Sequence, residues 1–295
     1  MAKAKRNERL VYMTHYLMQR PHQLVKFQAF QEDLQAAKSS LSEDIEILKN
    51  LFAQYKLGKI QTMTGAGGGL IYLPHTNQAQ KAAYIDQMVD RLETGRRILP
   101  GNYILFNDIM SDPDLLKQSA QLIAETYQEK DLDAILTIET KGIGLATLVA
   151  DCLGLPCLVV RRGGADTIGS TISVNYVSGS YHTLMRMELS RDSLSPGSRV
   201  LIIDDFLRNG GTAEGLVSLV EEFDCQPVGV CVLVSNTSPQ QVFPYDFKSL
   251  MEVEMAFDDS KGAYRIVAQP GKLFNCHGNV LEKSEGKLYN RDEEE

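Results

Sequence analysis

The chain opens on apolar residues at helical spacing. Between Arg9 and Met18, Leu10, Met13, Tyr16 and Leu17 share one face, and Pro21-His22 interrupts the pattern. Leu24 to Leu34 predicts a second helix, with Phe27, Phe30 and Leu34 as its apolar positions. A third begins at Lys38-Ser39-Ser40, where Leu41, Ile45 and Leu48 repeat at helical spacing and Ser39 or Ser40 is placed to cap the start. The period then changes. Ile60 to Thr64 and Leu70 to Leu73 predict two short strands joined by Gly65-Ala66-Gly67-Gly68-Gly69. Polar residues within Pro74 to Gln80 mark a boundary before a helix from about Ala79 to Leu92.

Beyond this point strand patterns dominate. Leu132 to Ile138 and Leu158 to Arg162 predict strands, and Val200 to Ile203 is a continuous apolar run, as expected of a parallel strand buried on both faces. Asp204 and Asp205 follow at the carboxyl edge, where open α/β sheets bind ligands. Gly210 and Gly211 allow the backbone to approach an anion, Thr212 adds a hydroxyl, and a helix from about Ala213 to Phe223 would turn its free amides toward a phosphate. The two carboxylates suit the vicinal hydroxyls of a ribose, directly or through magnesium. The plain alternative is an ordinary strand–turn–helix with a solvated acid pair.

This segment resembles the ligand motif of type I phosphoribosyltransferases. The resemblance implies that Asp204 and Asp205 hold the ribose hydroxyls of 5-phosphoribosyl-1-diphosphate (PRPP), while Arg208, Asn209, Gly210, Gly211 and Thr212 cradle its 5′-phosphate. Glu139-Thr140-Lys141-Gly142 resembles the family's pyrophosphate loop, and Gly169 to Leu189 its flexible loop. Arg161 and Arg162, ahead of Gly163-Gly164-Ala165-Asp166, are further candidates for the diphosphate, although relatives often carry lysine at the position of Arg162. Tyr103 and Phe206 could stack on a base. Magnesium is implied by the diphosphate of the ligand rather than by a protein cluster: His22, His182 and His277 are isolated and show no metal spacing.

Charge divides the chain in the same place as the pattern. Residues 1–74 hold 10 Lys+Arg against 6 Asp+Glu, while the 295-residue whole has a net charge of −8. A basic module is thus attached to an acidic one, whose acidity includes the tail Asp292-Glu293-Glu294-Glu295. Three helices followed by a glycine-rich hairpin are the layout of a winged helix, which would present the start of its third helix to DNA. Arg6, Arg9, Lys38, Ser39 and Ser40 are the candidate contacts. A three-helix packing or dimerisation module is the alternative. The five scattered cysteines lack C-x-x-C spacing, and Cys152, Cys157 and Cys231 lie in apolar stretches. They fit a reducing cytoplasm, as does the absence of a secretory or membrane-spanning apolar run.

A winged helix at 1–74 before a phosphoribosyltransferase-like domain at 75–295 resembles the bacterial purine operon repressors. Arg97-Ile98-Leu99-Pro100-Gly101 and Ser173-Val174-Asn175-Tyr176-Val177-Ser178-Gly179-Ser180 carry the likeness further. It implies a homodimer that binds duplex DNA at purine gene control regions, with PRPP as effector and no catalysis. Two rivals stay open: a working purine phosphoribosyltransferase, since the acid pair and phosphate loop serve catalysis and sensing equally, and an RNA-binding attenuation protein. The motif also leaves repression and activation undecided.

Overall fold

A computed structural model describes residues 4–65, 68–94, 97–99, 103–163, 169–177, 183–237, 243–259 and 262–274. Several sequence readings fall outside them: part of the 65–69 turn, Pro100-Gly101, Gly164-Ala165-Asp166, Ser178-Gly179-Ser180, Cys276, His182, His277 and the acidic tail.

The amino-terminal pattern folds as α1 (Arg6–Met18), β1 (Val25–Lys26), α2 (Phe27–Leu34), α3 (Lys38–Gln54), β2 (Lys59–Met63) and β3 (Gly69–Leu73). Its apolar positions converge: Met13, Leu17, Phe30, Leu41, Ile45, Leu48, Phe52 and Leu70 form one buried cluster. The strands run β1-β3-β2, all antiparallel, which is the helix-and-hairpin arrangement of a winged helix. Two local readings change. The second helix starts at Phe27 rather than Leu24, because Val25 is drawn into the sheet opposite Leu70. Neither Ser39 nor Ser40 caps α3: Ala37 holds that position without a side-chain bond, and both serines lie within the first turn.

Helix α4 (Gln78–Glu93) starts at a reciprocal capping box between Asn77 and Gln80. A two-stranded ribbon, β4 (Ile98–Leu99) with β5 (Tyr103–Ile104), and the single turn α5 (Asn107–Met110) lead into α6 (Pro113–Tyr127), whose first amides bond to Asp112. Then follow β6 (Ala134–Ile138), α7 (Gly142–Leu153), β7 (Cys157–Arg162), β8 (Thr171–Val177), β9 (Leu184–Ser190), β10 (Arg199–Leu207), α8 (Gly211–Glu222), β11 (Gln226–Asn236), β12 (Phe247–Asp258) and β13 (Ala263–Pro270).

Eight of these strands form one sheet in the order β13-β12-β11-β10-β6-β7-β9-β8. The middle five are parallel, and both margins are antiparallel. Helices cover both faces, giving one core under α4, α6 and α7 and a second under α8. Each aliphatic side chain fully buried there contributes roughly 1.5–3 kcal/mol. Strand β10 is central, and Val200 to Ile203 are buried from both sides as their unbroken apolar run requires. It runs on to Leu207, so Asp204 and Asp205 lie within the strand, with Asp204 opposite Val232. The segment expected to be a flexible loop is, where described, the hairpin β8–β9, which extends the sheet beside β7 and buries Tyr176 and Met187 in the α8 core.

Candidate functional site

The carboxyl ends of β6, β7 and β10 open on a cavity of about 300 Å³, within the range of small-ligand sites. Three backbone features shape it. The turn after β6 passes through Thr140 and Lys141 into α7, so the first turn of that helix starts in the cavity wall. Gly210 precedes α8 with φ 81°, a left-handed value, and a Cβ there would lie 2.9 Å from the Phe243 ring. Gly211 and Thr212 then begin α8 in the wall, an arrangement able to meet a phosphate with amides and a helix dipole. At Gly142 a Cβ would lie 2.8 Å from Asp204 Oδ1, so only glycine lets α7 start this close to the acid pair.

Electrostatically the cavity is unfinished. Burial raises the Asp204 carboxyl well above its ordinary range, and the adjacent Asp205 charge adds to this. Burial raises Asp205 too, opposed by its bond with Asp204 and by the Lys141 charge. Among the described residues no basic side chain forms an ion pair with either. A ligand bringing hydroxyl donors or a divalent cation would relieve this strain on the ionised pair. No group of three or more metal-binding side chains occurs among the described residues, so an ion here would need ligand oxygens as well.

Of the predicted ligand residues, Tyr103, Thr140, Lys141, Arg162, Asp204, Asp205, Phe206, Arg208, Asn209, Gly210, Gly211 and Thr212 line the cavity. Gly142 sits behind the wall. Arg161 does not reach it: alternation along β7 sends its side chain to Glu139, 3.1 Å away. Burial raises the Glu139 carboxyl, but the Arg162 amide at 2.6 Å and the Arg161 guanidinium outweigh this and leave it below its ordinary range. The two aromatics expected to stack on a base are already engaged. Tyr103 packs on the Arg208 guanidinium at 5.1 Å and Phe206 on Phe106 at 5.6 Å. Sequence reasoning missed Phe106 and Asn236 in the lining, whereas Glu139 belongs to the loop it had singled out. Asn236 could have been found by position, at the carboxyl end of the strand next to Asp204.

The predicted DNA contacts separate into two groups. Lys38 and Ser39 are exposed at the start of α3, and Ser40 is half-buried beside them. Arg9 is a misreading: it is buried, its Nε bonds Asp44 at 2.6 Å and its Nη1 bonds the Ala4 carbonyl at 3.0 Å. It fastens α1 to α3. Arg6 is exposed but paired with Glu43 and, at 3.3 Å, with Asp44. Among the described residues no helix is long and apolar enough to cross a membrane.

These two halves match known families in the same order. Residues 5–74 match the family described as "Bacterial purine repressor, N-terminal", and residues 107–263 match "Phosphoribosyl transferase domain". The chain is 39% identical to the purine biosynthesis transcriptional repressor PurR of Bacillus subtilis over 84% of its own length and 87% of that protein. The chain belongs to the bacterial purine repressor family. Within this family, the purine biosynthesis transcriptional activator PurR of Lactococcus lactis is 38% identical, over 92% of this chain and 99% of the relative. Purine repressor relatives therefore carry names of both signs. The fold alone extends further: a crystal structure of adenine phosphoribosyltransferase from Thermoanaerobacter pseudethanolicus superposes with TM-score 0.50 at 24% identity, over 56% of this chain and 98% of that one. As a member of the purine repressor family, the chain is a transcriptional regulator of purine biosynthesis genes built on an enzyme fold.

Proposed function

We propose that PRPP, carried with magnesium, occupies the cavity at Asp204-Asp205 and changes the affinity of the winged helix for duplex DNA at purine gene control regions. The carrying observation is the convergence of an acid pair, buried at Asp204 and without a salt bridge among the described residues, with two helix starts and the cations Lys141, Arg162 and Arg208 around one cavity. The acid pair would accept from the ribose hydroxyls. The Gly210–Thr212 turn would take the 5′-phosphate, and the Thr140–Lys141 turn with Arg162 the diphosphate. Bound magnesium would supply charge neutralisation between the diphosphate and the acid pair. The regulator acts as a homodimer in this reading, with residues 1–74 as the DNA module, 75–295 as the effector module and Lys38, Ser39 and Ser40 nearest the DNA.

For the ligand to switch DNA binding, it must bind the DNA-free state more tightly than the DNA-bound one. The test is an operator fragment bound by the purified full-length protein at low salt, titrated with PRPP and magnesium. Progressive release of DNA is expected, with no nucleotide formed when each purine base is added. DNA binding that ignores PRPP would overturn the effector assignment.

A further inference from the structure

We propose that helix α7 carries the effector signal to the winged helix, and that Gln23 against Gly154 is the contact where the signal crosses. The inference rests on the effector reading above. Strand polarity puts the two sites at opposite edges of the large sheet. The ligand turns lie at the carboxyl ends of β6 and β10, whereas the winged helix meets the α7–β7 turn at the amino end of β7. Helix α7 touches both.

At its effector end α7 has no slack. A Cβ at Gly142 would lie 2.6 Å from Thr137 Oγ1 and 2.8 Å from Asp204 Oδ1, so the Thr140–Lys141 turn cannot close further on a ligand without displacing the helix. The helix is 12 residues long, about 18 Å at the usual rise. Packed interiors move such elements as bodies between discrete arrangements.

At its far end Gly154 caps α7 in the left-handed region, with φ 68°. A Cβ there would lie 2.9 Å from Gln23 Cγ and 3.0 Å from its Nε2, so the bare glycine is the surface on which Gln23 rests. Gln23 belongs to the link between α1 and β1. Two residues later Val25 enters the wing sheet opposite Leu70, and α2 starts at Phe27. A shift at Gln23 is thus delivered to the root of the helix-turn-helix. Helix α6, packed beside α7, supplies a fixed point for this motion. Its Glu125 accepts from the Thr76 amide at 2.5 Å and hydroxyl at 2.6 Å, with Lys81 at 3.7 Å, and so anchors the chain just past β3.

The experiment measures operator affinity of the full-length protein with and without saturating PRPP and magnesium, and PRPP affinity by calorimetry, for wild type, Gln23→Ala and Gln23→Met. Gln23 is exposed, so truncation leaves the melting temperature in place. Gln23→Ala should keep both separate affinities near wild type while the PRPP-induced change in operator affinity shrinks about fivefold, against the usual coupling range of roughly 5–150-fold. Gln23→Met, of similar length, should restore the response. A wild-type response in Gln23→Ala would overturn the proposal, and so would loss of either separate affinity in that variant. A wild type whose operator binding ignores PRPP would instead refute the effector reading, and this inference with it.

Discussion

Asp44 in the winged helix and Asp204 in the large sheet are both inside the protein, 0% and 8% exposed, yet their surroundings are opposite. Asp44 is met by Arg9 at 2.6 Å and Arg6 at 3.3 Å, which tie α3 to α1. Asp204 has another acid beside it and no salt bridge among the described residues; the Arg162 charge lowers its carboxyl only in part, and burial with the Asp205 charge holds it well above the ordinary range. A buried charge with its counter-charge in place holds structure, whereas one left without a counter-charge is poised for something from outside. The contrast separates the two halves by role more clearly than their net charges do.

The largest way to test this comparison is Arg9→Ala. It strands the Asp44 carboxylate, and breaking such a pair costs about 3–5 kcal/mol, with Arg6 keeping the loss near the lower value. Denaturant unfolding should show the winged helix melting early and DNA binding failing, while calorimetry shows PRPP binding intact. Replacing both partners by apolar residues, Arg9→Met with Asp44→Leu, should recover most of the stability. If Arg9→Ala lost only DNA affinity with no change in unfolding, Arg9 would belong to the interface after all.

Asp204→Asn makes the converse test. Losing an acceptor for a charge-assisted bond should weaken PRPP by about 1.5–3 kcal/mol, roughly 10- to 150-fold, and DNA release should need correspondingly more ligand. The fold should gain at neutral pH. Because burial raises the Asp204 carboxyl in the folded state, its stabilising contribution is present below the ordinary aspartate range and is lost as pH rises through the folded value. The melting temperature of Asp204→Asn should therefore exceed that of wild type at neutral pH, with the gap closing on acidification. A variant less stable at neutral pH would show that the acid pair is structurally satisfied.

Two smaller effects refine the picture. Gly210→Ala forces a side chain into a left-handed turn and against Phe243, which should cost about 1–2 kcal/mol and weaken PRPP more than DNA. Lys38→Ala should lower DNA affinity evenly across sequences and reduce the salt slope by about 1, as expected if exposed Lys38 meets a phosphate. An unchanged slope would move the contact elsewhere on the module.

Much of the fold was legible from pattern. The 3.6-residue spacing of Leu41, Ile45 and Leu48 placed α3, and the unbroken Val200–Ile203 run placed the central strand, because burial on one face or two leaves these periods in the chain. Most of the lining was legible too, since turns that bring backbone close to a cavity need glycines at set positions. Pairing was not. Arg9 and Arg6 look alike in a basic segment, and nothing local says that Asp44, 35 residues from Arg9, will face it. The same holds for Arg161 and Arg162, adjacent cations that β-strand alternation sends to different surroundings. Phe106 and Asn236 come from segments without a motif, the first just before α5 and the second at the end of β11 in the sheet.

By itself, then, the sequence determined the two-part organisation, the family and most of the residues that line the cavity. Each of these depends on residues close together in the chain. Which charges hold helices together and which stand without a salt bridge among the described residues was decided only by the tertiary structure. So was the placement of the winged helix at the sheet edge opposite the cavity. Those outcomes depend on distance and burial between residues far apart in sequence, where electrostatic energies are set.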